Sequence, residues 1–317
     1  MAMQTKMEKH DFNHTPVLLN ECLDGLNIKP SGVYVDGTMG GAGHSLHIVE
    51  KLKGGKLIGI DKDDTALAVC KERLKNFDNV VFVKSDFKNF KNIMENLNLN
   101  GVDGILLDLG VSSHQIDTPE RGFSYRFDGA LDMRMDYSQG ITAYDVVNTY
   151  SESELSRIIY TYGEDNFARS IARKIVEARG VKPIETTMEL KNLVESAIPK
   201  KFHGAGSPCK KTFQAIRIEV NGELENLDTV IKDMVERLNK GGRLAIITFH
   251  SLEDRIVKNV FKELSTDCIC DKTIPICVCN HKATVKLVNR KPIIATNNEL
   301  KENKRSSSAK LRIVEKL

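Results

Sequence analysis

Four short apolar runs, each followed by an acid, recur through the first third of the chain. They are Val33–Val35 before Asp36, Lys56–Ile60 before Asp61, Val80–Val83 ahead of Asp86, and Gly104–Leu107 before Asp108. Runs of this length, rich in Val, Ile and Leu and bounded by turn residues, read as strands buried on both faces. Between them the apolar period lengthens to that of a helix. Leu46, Ile48, Val49 and Leu52 fall on one helical face, and so do Ala66, Leu67, Val69, Cys70 and Leu74 in a helix expected from Asp63 to about Asn76. Strands alternating with helices predict a doubly wound, mostly parallel α/β sheet.

The alternation stops near residue 110, and Val111 to Gly140 is rich in turn residues and charge. Two helix starts with capping-box spacing follow. Ser151 with Glu154 precedes Leu155, Ile158, Ile159 and Tyr162, and Thr186 with Glu189 precedes Leu190, Leu193 and Val194. The α/β pattern then resumes. Leu224, Leu227, Ile231, Met234, Val235 and Leu238 form one helical stripe that Gly241-Gly242 is expected to end. A fifth strand is expected at Arg243–Phe249 and a helix from about Leu252 to Leu264. Thr284–Val288 and Ala309–Val314 read as an antiparallel pair at the sheet edge. The predicted organisation is a discontinuous α/β domain, residues 1–115 and 213–317, carrying an inserted, mostly helical domain at 116–212.

Candidate chemistry concentrates after the first strand, in Asp36-Gly-Thr-Met-Gly-Gly-Ala-Gly-His44. Gly37, Gly40, Gly41 and Gly43 permit positive φ and a close approach of backbone to ligand. A strand, a glycine loop and a helix start make a nucleotide-type site. The dinucleotide fingerprint fails here: from Gly41 its third position is Leu46, and from Gly37 its second is Met39. No Gly-Lys-Ser/Thr follows the loop either. Asp61 nevertheless sits where a ribose diol is bound. A nucleoside without a diphosphate fits better, and S-adenosylmethionine is the common one. Asp36 would answer its ammonium, the loop amides its carboxylate, and Asp61 its ribose hydroxyls. Asp86 and Phe87 would meet the adenine amine and ring face, and Asp108 the sulfonium.

At 317 residues, 41% hydrophobic and 28% charged, the chain is globular, with enough length for a sizeable core. No apolar run approaches the roughly 18 residues of a membrane span. The polar start has no signal core, which predicts a cytoplasmic protein. The net charge of +3 hides clustering: Lys200–Ile218 holds five Lys/Arg and no acid, and Lys286–Leu317 holds nine basic residues against three acidic. Such clusters suit phosphate contact or a solvated face. Phe202 and Phe213 interleave with the first cluster, as stacking or as core residues. Of seven cysteines, four stand in Cys268-x-Cys270 and Cys277-x-Cys279, with His281 beyond. They make either a structural zinc site or a reduced thiol-rich loop, since the usual zinc knuckle is Cys-x-x-Cys. No metal is expected at the reaction site.

Several segments resemble the bacterial RsmH (MraW) methyltransferases. They are His14-Thr-Pro-Val-Leu-Leu, Asp36-Gly-Thr-Met-Gly-Gly-Ala-Gly-His44, Asp103-Gly-Ile-Leu-Leu-Asp-Leu-Gly-Val-Ser-Ser113 and Glu120-Arg-Gly-Phe-Ser124. Leu131-Asp-Met-Arg-Met-Asp136, Thr212-Phe-Gln-Ala-Ile-Arg-Ile218, Phe249-His-Ser-Leu-Glu-Asp-Arg-Ile-Val-Lys258 and Arg305-Ser-Ser-Ser-Ala-Lys-Leu-Arg312 continue the match in order. The resemblance implies a class I, Rossmann-like sheet with an inserted helical substrate-recognition domain. It also implies transfer of a methyl group from S-adenosylmethionine to the N4 amine of a cytosine in the decoding region of small-subunit (16S) ribosomal RNA. The implied partner is that RNA within the 30S particle, with no membrane; a homodimer is left open. The family's cofactor contacts fall on Ala42, Gly43, His44, Asp61, Phe87, Asp108 and Gln115.

Cytosine's exocyclic amine is a poor nucleophile because its lone pair is delocalised into the ring. Catalysis must hold the nitrogen in line with the methyl and accept its N–H groups. Asp108 is the proposed orienting acceptor, with Asp108-Leu-Gly-Val standing where many N4-amino methyltransferases carry Asp/Ser-Pro-Pro-Tyr/Phe. His250 is either a general base or a structural hydrogen-bonder. Arg121, Phe123, Arg134 and the Lys200–Arg217 cluster are the candidate RNA contacts. The competing class is a methyltransferase-like module that binds RNA without catalysis.

Overall fold

The computed structural model describes residues 15–203, 207–268, 270–271, 276–279 and 281–317. His14 of the first motif and the polar stretch before it lie outside the described residues. Seven strands form one sheet: β1 (Val33–Asp36), β2 (Lys56–Asp61), β3 (Val80–Lys84), β4 (Val102–Asp108), β5 (Leu238–Thr248), β6 (Val285–Leu287) and β7 (Lys310–Lys316). Their order is β3-β2-β1-β4-β5-β7-β6. The first five are parallel, and β7 runs antiparallel to both β5 and β6. The expected antiparallel pair is therefore present, with β6 outermost.

Alternate residues of each central strand face opposite layers. Tyr34, Leu57, Leu106 and Ile247 pack under α1 (Leu19–Leu26), α2 (Gly43–Val49) and α3 (Asp64–Arg73). Val35, Ile58, Ile105 and Ile246 pack under α4 (Phe90–Asn96), α11 (Leu227–Glu236) and α12 (Ser251–Leu264). Burial on both faces is why these strands read as continuous apolar runs rather than as alternating ones.

After β4 the chain makes the short α5 (Ser113–Asp117) and then leaves the sheet. A second core gathers α6 (Ala143–Thr149), α7 (Glu152–Gly163), α8 (Ala168–Arg179), α9 (Thr187–Ala197) and α10 (Lys210–Asn221). Phe123, Leu131, Met133 and Met135 reach into it from the irregular stretch. Ser151 and Thr186 cap α7 and α9 with full capping boxes, as their spacing predicts. Phe213, Ala215 and Ile216 of α10 also belong to this second core, so the packed helical body reaches past residue 212. A last short helix, α13 (Asn297–Glu302), precedes β7.

One expected helix end moves. α11 stops at Glu236, and Leu238 already pairs with Val102. The next pairs begin at Gly104 with Arg243, so the glycines absorb a bulge in β5 instead of ending a helix. Gly241 takes φ +76°, and a Cβ on Gly242 would lie 2.8 Å from the Asn239 carbonyl oxygen. Leu238 suits a helical stripe and a buried strand equally, which is why periodicity extended the helix through it. Among the described residues, no helix is long and apolar enough to cross a membrane.

Candidate active site

The strand order reverses between β1 and β4, which are hydrogen-bonded neighbours. Asp36 and Asp108 therefore end adjacent strands at the crevice where open α/β sheets bind ligands, and β2 brings Asp61 to the other side of β1. Asp36 is buried and accepts hydrogen bonds from Ser45 Oγ at 2.6 Å and the Thr38 amide at 3.1 Å. Burial pushes its carboxyl up to about 6 in spite of those bonds. Asp61 accepts from the Gly40 amide at 2.7 Å and the Asp63 amide at 2.9 Å, and burial likewise raises it to about 6. Each of its oxygens keeps a second lone pair for a ribose hydroxyl.

Asp108 is held differently. Its amide donates to Thr38 Oγ1 at 2.6 Å, and its Oδ2 stands 3.8 Å from His44 Nδ1. Its Oδ1 is buried with no hydrogen-bond partner. Burial moves this carboxyl up to about 6 as well; His44 opposes the rise, and Asp36 and Glu253 add to it. Three poorly compensated carboxylates at one crevice select for a cationic ligand.

The loop glycines act for separate reasons. Gly40 takes φ +51°, whereas a Cβ on Gly43 would come 2.6 Å from Pro16 and one on Gly37 2.4 Å from Leu107. The second left-handed residue of the loop is Ala42, buried at φ 58° just ahead of α2. The α3 helix braces the loop from behind. Arg73 Nη1 donates to the Gly41 carbonyl at 2.9 Å, and Cys70 Sγ to the Gly40 carbonyl at 3.2 Å. His44 is buried with Nε2 2.9 Å from the Val17 carbonyl oxygen, so it ties the N-terminal segment to Asp108. Phe87 opens the turn after Asp86, and its Cβ would lie 3.4 Å from a Cβ on Gly37, so it borders the loop. Asp86 accepts the Lys88 amide and pairs with Lys62 Nζ at 3.2 Å.

Gln115 is buried beneath this cradle. Its Oε1 completes the Ser112 capping box, and its amide donates to Asp63 Oδ2 at 3.1 Å. The same Asp63 oxygen accepts from Arg121 Nη1 at 2.7 Å. Sequence reasoning did not single out Asp63, because in Lys62-Asp63-Asp64 it looks like any helix cap. Its only signal is its place two residues after Asp61.

Several residues expected to face RNA lie elsewhere. Arg121 is buried; beyond Asp63, its Nη2 donates to the Arg134 and Met135 carbonyls at 2.9 and 3.0 Å, and its guanidinium stacks 4.1 Å over Tyr137. Phe123 and Phe213 are buried in the second core. Arg134 forks onto Asp132 at 2.7 Å and remains partly open. Of the basic cluster, Lys200, Lys201, Lys210 and Lys211 are exposed, while Arg217 turns inward to Glu223 at 2.8 Å. Phe202 stays 55% exposed, with Lys201 Nζ 5.1 Å over its ring. The His250 side chain is buried and caps α12, its Nδ1 accepting the Glu253 amide at 3.4 Å.

A sheet of this order, with β7 reversed and the first glycine loop at the reversal point, is the class I, Rossmann-like methyltransferase sheet. The chain belongs to the MraW methylase family, which it matches over residues 11–317. It is 56% identical over 310 residues to the ribosomal RNA small subunit methyltransferase H of Clostridioides difficile (strain 630), a match spanning 97% of this chain and 100% of that relative. The protein of the same name from Finegoldia magna is 52% identical, over 97% of this chain and 99% of its own. Among solved structures, an rRNA methylase from Streptococcus thermophilus aligns at 12% identity with a TM-score of 0.40, covering 96% and 99% of the two chains.

Proposed function

We propose that this chain transfers the methyl group of S-adenosylmethionine to the exocyclic N4 amine of a cytosine in the decoding region of small-subunit ribosomal RNA. The observation that carries the reading is the Asp108 carboxylate, at the sheet's reversal point with one buried, unpartnered oxygen. That oxygen is an acceptor with no internal donor, beside the loop that would hold the methyl donor. The family relatives, named as small-subunit ribosomal RNA methyltransferases, support the substrate class.

The donor supplies a methyl carbon on a positively charged sulfur. Asp36, Asp61 and the loop amides answer its ammonium, ribose and carboxylate, with Ala42, Gly43, His44, Phe87 and Gln115 shaping the cradle. Asp108 accepts an N–H of the target amine, which turns the nitrogen lone pair toward the methyl carbon. As the C–N bond forms the C–S bond breaks, its electron pair neutralises the sulfonium, and the amine's proton passes to Asp108. With its carboxyl near 6, Asp108 is ionised at neutral pH and more basic than an ordinary carboxylate. We assign the helical body, from residue 116 through α10, as the recognition domain, with the exposed lysines and Phe202 meeting RNA backbone and bases. The target base must leave its stack to reach Asp108. The assembled 30S particle in the cytoplasm is the setting this implies.

The test is incubation with labelled S-adenosylmethionine and either bare 16S RNA or 30S particles, followed by nucleoside mass spectrometry. N4-methylcytidine is expected; no transfer to either substrate overturns the reading. Donor binding also has a pH signature. A cationic ligand lowers the affinity of nearby carboxylates for protons, so groups half-protonated near pH 6 release protons as it binds. Calorimetry in buffers of different ionisation enthalpy should show release of about one proton near pH 6 and almost none by pH 8. Buffer-independent heats at pH 6 would contradict the cationic-ligand assignment.

A further inference from the structure

Four thiols that the reaction does not use converge beyond the C-terminal end of α12. Cys268, Cys270, Cys277 and Cys279 have their sulfur atoms all within 4.8 Å of one another. The Sγ atoms of Cys277 and Cys279 are 3.5 Å apart, and those of Cys279 and Cys268 are 3.9 Å apart. Four sulfurs at ~2.3 Å from one zinc ion, set tetrahedrally, stand about 3.8 Å from each other. We propose that these four cysteines form a tetrathiolate site for one structural zinc ion that closes the connection between α12 and β6.

Three further observations point the same way. The base of the connection is already pinched: the Thr284 amide donates to the Leu264 carbonyl at 2.9 Å, and His281 Nε2 lies 3.0 Å from the Glu263 carbonyl oxygen. His281 is thereby spent on the base, which leaves four sulfur ligands, the number zinc takes in a closed site. Burial does not hold the tip, because Ile276 and Val278 stay 75% and 69% exposed. The backbone does turn toward the sulfurs, with the Val278 amide donating to Cys270 Sγ at 3.4 Å. Amide donors of that kind stabilise a metal-bound thiolate. The other three cysteines, Cys22, Cys70 and Cys209, are buried singly and take no part.

The site's role follows from its place. Among the described residues, α12 has 14 residues, with His250 capping the end near Asp108 and the thiols beyond the other end, about 20 Å away along the helix axis. An ion there staples a surface connection and does not touch the reacting atoms. Soft thiolates and tetrahedral spacing select zinc among ions that neither reduce nor oxidise their ligands.

Metal analysis of the full chain, purified without a metal-affinity step and dialysed, should find about one zinc per chain. Cys268→Ser with Cys277→Ser should cut that content more than tenfold while kcat for methyl transfer stays within about twofold of the parent. Cobalt added to zinc-stripped parent protein should give the visible bands of a tetrahedral thiolate site, a readout independent of whether the variant folds. Less than a tenth of an equivalent of zinc with no cobalt bands overturns the proposal. So does a native mass lowered by two disulfides, or iron in place of zinc.

Discussion

Asp108→Asn is expected to lower kcat by about 10²-fold or more and, at the same time, to stabilise the unliganded protein. The rate falls because asparagine offers the target amine a weaker, uncharged acceptor. Stability rises for the opposite side of the same cause. Burial lifts this carboxyl from an ordinary 3.8 to about 6 in the fold. A group whose folded value lies above its unfolded one stabilises fully below the unfolded value, and that contribution is lost as pH rises through the folded value. At pH 7.5 the ionised Asp108 therefore opposes folding. A rise of about two pH units at ~1.4 kcal/mol each, discounted for the open edge of the side chain, gives about 1–2 kcal/mol. Calorimetry at pH 7.5 should show Tm higher by about 2–4 °C in the variant, with the gap closing toward pH 4. Affinity for S-adenosylmethionine should weaken by no more than about tenfold, because Asp36, Asp61 and the loop amides remain. A variant that turns over at the parental rate removes Asp108 from the chemistry.

The second large effect is structural. Arg121→Met should cost about 3–5 kcal/mol of stability, read by urea denaturation. It leaves Asp63 buried with the Gln115 amide as its one remaining side-chain donor and frees the Arg134 and Met135 carbonyls. Arg121→Lys should rescue little, because one ammonium cannot reproduce a fork that reaches Asp63 with Nη1 and two carbonyls with Nη2. Adding Asp63→Asn to Arg121→Met should recover part of the loss, since it removes the unpaired charge. An arginine that contacted RNA would behave otherwise: stability would hold, and RNA affinity and its salt slope would both fall.

This buried pair joins the two halves of the molecule. Asp63 caps α3 and donates its amide to Asp61, while Arg121 pins the irregular stretch leading into the helical body. The cradle proposed for the donor and the body proposed to meet RNA thus share one ion pair. Lesions at Arg121 should therefore weaken donor binding as well as stability.

Much of this protein was legible in the residues alone. Strand runs, the acids that end them, and the caps at Ser151 and Thr186 depend on neighbours a few positions away, and local spacing reports them directly. The positive φ at Gly40 and the Gly40 amide bond to Asp61 likewise follow from residue types that the sequence shows, a glycine loop and an acid at the next strand end. What the tertiary structure decided was partnership. Gly43 is glycine because Pro16 crosses it, and Gly241-Gly242 make a bulge because β4 pairs alongside. Arg121 and Phe123 look like a basic, aromatic surface in sequence, yet Asp63 and the second core draw them inside. Charge and ring are readable from a sequence; which long-range neighbour satisfies them depends on where folding brings the chain, and burial then sets whether they bind a ligand or hold the fold.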